Sequence, residues 1–246
     1  PLPSAQSLNA EASANRFVIT EEMDVLCTDG VTRRRPDMVG FVNGLPLVVI
    51  EAKKPASGNP TKDMVLEGIS PNIRNPKHDE IPHLFAYSQL LLSISGTDGK
   101  YATTKTPDTF WQRWREEELD SSYITACKNT IPSAEEQNTL FAGRENGNAM
   151  QDFFRSLWSK PMQVTEQDSL LASLCSKRRL LELTRYFILF DRKKGKIIAR
   201  YPQMFGVKKL IERVDQRKSE REGGGRQGGV IWHTTGSGKS MTMVFL

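Results

Sequence analysis

The sequence predicts an α/β fold, and three stretches carry that prediction. Met38 to Val42 and Leu47 to Ile50 are β-rich runs separated by Asn43-Gly44, a strong short-range hairpin signal. Leu170, Leu171, Leu174, Leu180, Leu181 and Leu183 recur at helical spacing and suggest two helices with a break near Ser176. Val230-Ile231-Trp232-His233 is an apolar run that leads through a glycine-bearing loop to a helical pattern starting at Ser240, the order strand, loop, helix.

Taken in order, residues 1–15 read as a mobile lead-in and Phe17 to Thr20 as a short strand. Asp29-Gly30 marks a turn. Residues 55–62, rich in Pro, Gly, Ser and Asn, read as a loop, and 62–77 as a short helix interrupted near Ser70-Pro71. Phe85 to Ile94 fits a helical start running into a strand over Leu90–Ser95. The Gly96-Thr97-Asp98-Gly99 turn then leads to a hairpin partner over Tyr101 to Thr104. Phe110, Trp111 and Trp114 at helical spacing read as a packing face rather than a base-stacking one. Residues 128–148, rich in Asn and Gly, read as a loop and a domain edge, with a helix from Ala149. Tyr186 to Phe190 is a strand, Arg192 to Gly195 a turn, Ile197 to Tyr201 a lead-in, and Met204 to Arg217 an amphipathic helix. Residues 218–229 read as a flexible glycine-rich loop, and Val230 to His233 as a buried strand.

Bulk properties narrow the class. In 246 residues, apolar content of 38% and charged content of 26% fit a folded globular chain rather than a disordered one. No apolar run approaches the ~20 residues of a membrane span. Pro1 to Ala14 lacks the basic and apolar regions of a secretory leader, and the absence of an initiator Met points either to a start further upstream or to processing. Cys27, Cys127 and Cys175 are widely separated and read as reduced thiols, not as a zinc or disulfide set. The net charge of +5 is uneven: residues 175–226 carry 16 Lys and Arg against 6 Asp and Glu. That segment suits a polyanionic partner or a solvated helix face, and charge alone does not choose between them.

Chemistry concentrates at two places. Asp37 precedes the first hairpin strand, and Glu51-Ala52-Lys53 ends the second. The carboxylates of Asp37 and Glu51 with the backbone carbonyl of Ala52 would suit a hard oxygen-seeking cation such as Mg²⁺. Lys53, on the face of Glu51 because strand side chains alternate, would orient a water or stabilise charge on phosphorus. The plainer alternative is an ion pair between Glu51 and Lys53. Register separates the two. A two-residue loop pairs Val42 with Leu45 and turns Asp37 and Glu51 to opposite faces. A three-residue loop with a glycine bulge pairs Val42 with Pro46 and Asp37 with Glu51. A catalytic pairing therefore needs the odd loop or an equivalent bulge.

The second place is Thr234-Thr235-Gly236-Ser237-Gly238-Lys239-Ser240. Against the full phosphate-loop pattern, Gly238-Lys239-Ser240 is intact and His233 stands where the first glycine belongs. Glycines let backbone N–H groups reach phosphate oxygens; Lys239 would reach the β/γ-phosphates and Ser240 would ligate the Mg²⁺ carried with ATP. A chance match in a glycine-rich loop is the alternative.

The run from Arg35-Pro36-Asp37 through Phe41-Val42-Asn43-Gly44-Leu45-Pro46-Leu47 to Glu51-Ala52-Lys53 resembles the PD-(D/E)XK nuclease motif of the restriction (R) subunit of type I restriction–modification enzymes. Arg200-Tyr201-Pro202-Gln203 looks like that family's element ahead of the motor, which makes Gln203 the candidate for reading adenine. Gly229 to Ser240 is similar to its Walker A segment, with Thr235, Gly236, Ser237, Gly238, Lys239 and Ser240 as the nucleotide-binding residues. The family's Q-x-x-x-Y element has no clean copy between residues 55 and 90. The resemblance implies a PD-(D/E)XK mixed sheet flanked by helices over 1–148, a helical linker over 149–195, and the first elements of a RecA-like domain over 196–246. It implies Mg²⁺ and ATP as cofactors, with S-adenosylmethionine entering only through a partner methyltransferase. It implies double-stranded DNA and the methyltransferase (M) and specificity (S) subunits as partners, no membrane, and a prokaryotic cytoplasmic setting. With no Walker B motif, arginine finger or second motor lobe before Leu246, the sequence is expected to be an N-terminal portion that does not turn over ATP by itself. Two other expectations compete: a helicase-type motor with an inactive nuclease-like DNA-binding module, and a module that only docks.

Overall fold

The computed structural model describes residues 5–55, 63–216, 223–226 and 228–246. The chain opens with α1 (Ala5–Ala14), β1 (Phe17–Glu21), β2 (Val25–Leu26), β3 (Arg33–Arg34), β4 (Met38–Val42) and β5 (Leu45–Ala52). It continues through α2 (Met64–Arg74), α3 (Pro82–Tyr87), β6 (Leu90–Ser95), β7 (Asp98–Ala102) and a 3₁₀ turn at Asp108–Phe110. Helices α4 (Ser121–Asn129), α5 (Ala134–Phe141), α6 (Gly147–Trp158), α7 (Glu166–Leu174) and α8 (Lys177–Tyr186) follow. The hairpin β8 (Ile188–Asp191) and β9 (Gly195–Ile198) then leads to α9 (Tyr201–Asp215) and α10 (Lys239–Phe245).

The predicted α/β class holds as a five-stranded mixed sheet, order β1-β4-β5-β6-β7, flanked by helices. Among the described residues only β5 and β6 pair in parallel, because the chain crosses over between them through α2 and α3, as a parallel pair requires. Alternation along the strands splits the core in two. Val39, Val49, Leu91 and Ala102 face one side, with Ile69 of α2 and Phe85 of α3. Val48, Ile50, Leu92 and Tyr101 face the other, with Leu174, Leu183, Met204 and Phe205 from α7, α8 and α9. That second core is continuous from the sheet to α9. It takes Phe245 of α10 as well.

The β4–β5 hairpin meets the register demand by an unexpected route. Its loop has two residues, Asn43 (φ 50°) and Gly44 (φ 84°), both left-handed, and Val42 pairs with Leu45. The register then shifts between Gly40 and Phe41: Phe41 pairs with Pro46, Gly40 with Val48, and Leu47 is the extra residue. Pro46 has no N–H to return to Phe41, so the ladder is already broken where the bulge sits. Met38 pairs with Ile50, and continuing that register sets Asp37 opposite Glu51. The expected three-residue loop is absent, and the equivalent bulge does its work.

Several elements differ from expectation. Residues 5–14 form a helix rather than a mobile lead-in, because Leu8 and Ala12 are buried and α1 packs on α8. Helix α2 is not interrupted at Ser70-Pro71: Asp63 caps it by accepting from the N–H groups of Val65 and Leu66, and Pro71 is carried in the helix interior. The stretch 128–148 is largely helical, since Ser133 and Glu136 form a reciprocal capping box that starts α5. Trp111 and Trp114 are buried as a packing face, yet no helix joins them and Phe110 is exposed. Val230 to His233 forms no strand. Val230 and Trp232 are 92% and 88% exposed, and no strand among the described residues lies beside them to satisfy their backbone groups. Helices α7 and α8 break at Ser176 as expected, with Ser176 accepting from the Arg179 N–H. The expected loop over 55–62 falls almost wholly outside the described residues; of the one over 218–229, residues 223–226 and 228–229 are described and belong to no helix or strand of the fold.

Candidate active site

Asp37, Glu51 and Lys53 converge where β5 ends. The Lys53 Nζ donates to Asp37 Oδ2 at 3.2 Å and to Glu51 Oε2 at 3.0 Å. The Ala52 N–H donates to the same Asp37 oxygen at 2.7 Å. An extended residue directs its N–H and C=O towards the same neighbouring strand, so the Ala52 carbonyl is on the Asp37 side. The Lys53 N–H bonds Ile94 O on β6. The hairpin, its bulge and the parallel neighbour thus fix all three side chains on one face.

Burial is graded across the cluster. Glu51 is 4% exposed, whereas the Asp37 and Lys53 side chains are partly open to solvent. Loss of hydration pushes the Glu51 carboxyl up to about 7; the Lys53 hydrogen bond opposes that and the Asp37 charge adds to it. For Lys53, burial alone would lower the ammonium, but its hydrogen bonds and charge pairing with Glu51 and Asp37 win and raise it.

A cation already sits within reach of both carboxylates, in the form of the Lys53 ammonium. The donor set is two carboxylates and a carbonyl, all hard oxygens, which fits Mg²⁺ with water completing its shell. Among the described residues no group of three or more His, Cys, Asp or Glu side chains gathers at one point, so Asp37 and Glu51 would act as a pair.

The same row of the sheet holds two residues that sequence reasoning did not single out. Glu51 pairs with Ser93, and Ser93 with Lys100. Lys100 is therefore on the same face, about 10 Å away across two strand spacings, with Nζ 3.9 Å from the α2 cap Asp63. The parallel register of β5 and β6 links them, and nothing in the local sequence displays it.

At the far end of the chain, Gly236 (φ 79°) and Gly238 (φ 86°) take the left-handed conformations that the loop's turns require. Lys239 and Ser240 are exposed at the start of α10, and the Thr235 and Gly236 backbone forms the turn. The Ser237 hydroxyl is buried without a partner. Gln203 is brought to this loop: buried, it accepts from the Arg200 N–H at 2.8 Å and donates to the Gly238 carbonyl at 3.2 Å. A Cβ on Gly238 would collide with that amide. His233, standing in for the first glycine, packs against Gly206 of α9, where an added Cβ would meet its Nε2 at 3.1 Å.

Two family models match the chain. Residues 9–110 match the type I restriction enzyme R protein N terminus, and residues 202–246 match the SWI2/SNF2 ATPase. A putative type I restriction enzyme MjaIXP endonuclease subunit of Methanocaldococcus jannaschii is 32% identical over 236 residues, which is 94% of this chain and 20% of that protein. The type I restriction enzyme HindI endonuclease subunit of Haemophilus influenzae is 31% identical, over 94% of this chain and 18% of that protein. A Staphylococcus aureus relative, the SauCOLORF180P endonuclease subunit, is 22% identical over 93% of this chain and 18% of its own length. The chain thus spans about a fifth of the length of these relatives. The first match covers the hairpin that carries Asp37, Glu51 and Lys53, the second covers Gln203 and the glycine loop, and the chain belongs to the family of type I restriction enzyme endonuclease (R) subunits.

Proposed function

We propose that this chain carries the DNA-cutting part of a type I restriction endonuclease together with the threshold of its ATP-driven motor. The convergence of Asp37, Glu51 and Lys53 at the end of β5 supports this reading most directly. In it, the mixed sheet is a PD-(D/E)XK nuclease over 1–148, residues 149–195 are a helical linker, and 196–246 begin a RecA-like translocase domain. When bound by the Asp37 and Glu51 carboxylates and the Ala52 carbonyl, Mg²⁺ would acidify a water and screen a phosphodiester. Lys53 lies beside both acids and would orient that water and stabilise charge growing on the phosphate oxygens. Glu51 must release its proton to act, and Lys53 supplies the nearby positive charge that favours release.

The glycine loop would hold the phosphates of ATP, with Lys239 at the β/γ-phosphates and Ser240 at the accompanying Mg²⁺. Gln203 ties α9 to that loop and is the candidate for adenine. In the intact protein, ATP turnover would drive translocation of double-stranded DNA before cleavage. The M and S subunits would supply sequence recognition, S-adenosylmethionine would bind only the methyltransferase, and the setting would be the prokaryotic cytoplasm. Among the described residues no helix is long and apolar enough to cross a membrane.

The test is a Mg²⁺ titration of cleavage by the intact restriction complex carrying Asp37→Ala or Lys53→Ala. Both variants should lose cleavage at every Mg²⁺ concentration and keep ATP turnover. Undiminished cutting by both would remove the hairpin from the reaction. One observation favours a second reading, a helicase-type motor with a nuclease-like but inactive DNA-binding module. The Lys53 ammonium lies between the two acids, and Glu51 holds its proton up to about pH 7. Metal-independent DNA binding by a wild-type complex that cuts at no Mg²⁺ concentration would establish that alternative.

A further inference from the structure

The β8–β9 hairpin gathers positive charge that the fold itself does not use. Its turn carries Arg192, Lys193 and Lys194, all exposed. Lys105 joins them from the loop after β7: a Cβ on Gly195 would lie 4.0 Å from Lys105 Cδ. The turn's own carboxylate, Asp191, is taken up by accepting from the backbone N–H groups of Lys193 and Lys194, each at 2.8 Å. Among the described residues, no carboxylate forms an ion pair with any of these four cations.

The hairpin is held in place by a fifth cation. Lys196 donates to Ala86 O at 3.3 Å and Ser88 O at 2.5 Å, which fastens the hairpin to the end of α3. Burial lowers the Lys196 ammonium, and Lys105 lowers it further by like-charge repulsion. Against these five cations the hairpin sets one carboxylate, Asp191, which its backbone hydrogen bonds and the Lys194 charge help to keep ionised, and the remaining excess of positive charge suits an external anion. Phe190, paired across the hairpin with Lys196, is 74% exposed and gives the patch an apolar plate.

The position matters as much as the charge. Ser88, which Lys196 touches, bonds Pro46 O near the start of β5, whereas Glu51 stands five residues further along the same strand. At about 3.3 Å per residue Pro46 and Glu51 stand roughly 16 Å apart along β5, so Lys196 anchors the hairpin towards the end of the strand remote from the acid pair.

We propose that Lys105, Arg192, Lys193 and Lys194 form a nucleic-acid-backbone contact at the opposite end of the sheet from the acid pair, with Lys196 as the residue that positions it. The inference rests on the reading of the chain as DNA-acting and extends it: the patch grips duplex phosphates without touching the bond to be cut. Backbone contacts of this kind position a duplex and carry no sequence preference.

The experiment measures duplex affinity of the intact complex against salt, using a duplex lacking its recognition sequence. Wild type and the quadruple variant Lys105→Gln/Arg192→Gln/Lys193→Gln/Lys194→Gln are compared, with thermal melting to confirm that each is folded. The quadruple variant should bind at least tenfold more weakly at low salt, and the magnitude of its log Kd against log salt slope should fall by about three to four. An unchanged affinity and slope in a folded quadruple variant would overturn the patch while leaving the nuclease reading intact. Loss of subunit assembly with DNA binding unchanged would overturn it in favour of an acidic protein partner. A wild-type complex that binds no duplex would overturn both readings.

Discussion

Glu51 is a carboxylate at the end of a buried strand, and its environment works against its ionised form. Its folded value of about 7 stands above the ordinary 4.5, so folding favours the protonated acid. The associated stability is fully present below pH 4.5 and is lost as pH rises through 7, an effect of roughly 3 kcal/mol. With metals chelated, Glu51→Gln should match wild type near pH 4 and melt at a higher temperature than wild type at pH 8; equal melting at both pH values would refute the assignment. The grouping of Asp37, Glu51 and Lys53 was legible in sequence because the four apolar residues before the acid-x-lysine argue for a strand end and weaken the helix-surface reading. The bulge that aligns them was legible only as a requirement. Its place at Leu47 follows from Pro46, which interrupts the ladder before the turn can.

Among elements, α8 and α9 are joined to the segment 116–118 by a buried charge network. Arg179, 1% exposed, donates to Glu116, Glu118 and Glu182, each at 3.1 Å, and its guanidinium lies over the rings of Trp114 and Phe205. Lys208 adds a second cation to Glu182 at 2.8 Å. Arg179→Ala strands Glu116 in the interior and should destabilise the chain by about 3–5 kcal/mol in urea unfolding. Arg179→Met fills the volume without the charge and separates packing from pairing. Burial would raise Glu116, but the Arg179 charge, the Trp114 N–H and the backbone N–H groups of Glu118 and Leu119 together lower it. That stability is present above pH 4.5 and fades as pH falls through the depressed value. Wild type should therefore lose stability on acidification more steeply than Arg179→Met, and parallel pH profiles would exclude the pairing. Helix α8 was legible from its leucines and its Ser176 cap. The network was not, because its members lie some 60 residues apart. Helix α5 was misread from composition: asparagine and glycine argued for a loop, while Ser133-x-x-Glu136, a start signal, lay in the same stretch.

At the scale of the molecule, one core joins the sheet to the element that carries Gln203. Tyr101 of β7 donates to Ala199 O at 2.9 Å, its ring meets Trp114 edge-on at 5.5 Å, and Trp114 meets Phe205 at 5.5 Å. The start of α9, and with it the Gln203 bond to Gly238, is therefore held by the sheet that carries Glu51. This continuity escaped the sequence because its contacts span about a hundred residues, and Val230 to His233 misled because an apolar run predicts burial only where neighbours exist to pair with it. Lys239 lies outside this core, exposed at the first residue of α10. Lys239→Ala in the intact complex should leave thermal stability within about 0.5 kcal/mol of wild type. Under the proposed function it should abolish ATP turnover, because the ammonium at the β/γ-phosphates is gone. It should also abolish cleavage, since translocation comes first, while DNA binding in the absence of nucleotide stays at the wild-type level. Asp37→Ala is the mirror case, with ATP turnover kept and cleavage lost. Measuring both activities in both variants orders the two events. Cleavage that survived Lys239→Ala would show that the Asp37–Glu51–Lys53 centre acts without the motor, and the coupling between the two ends of the chain would have to be abandoned.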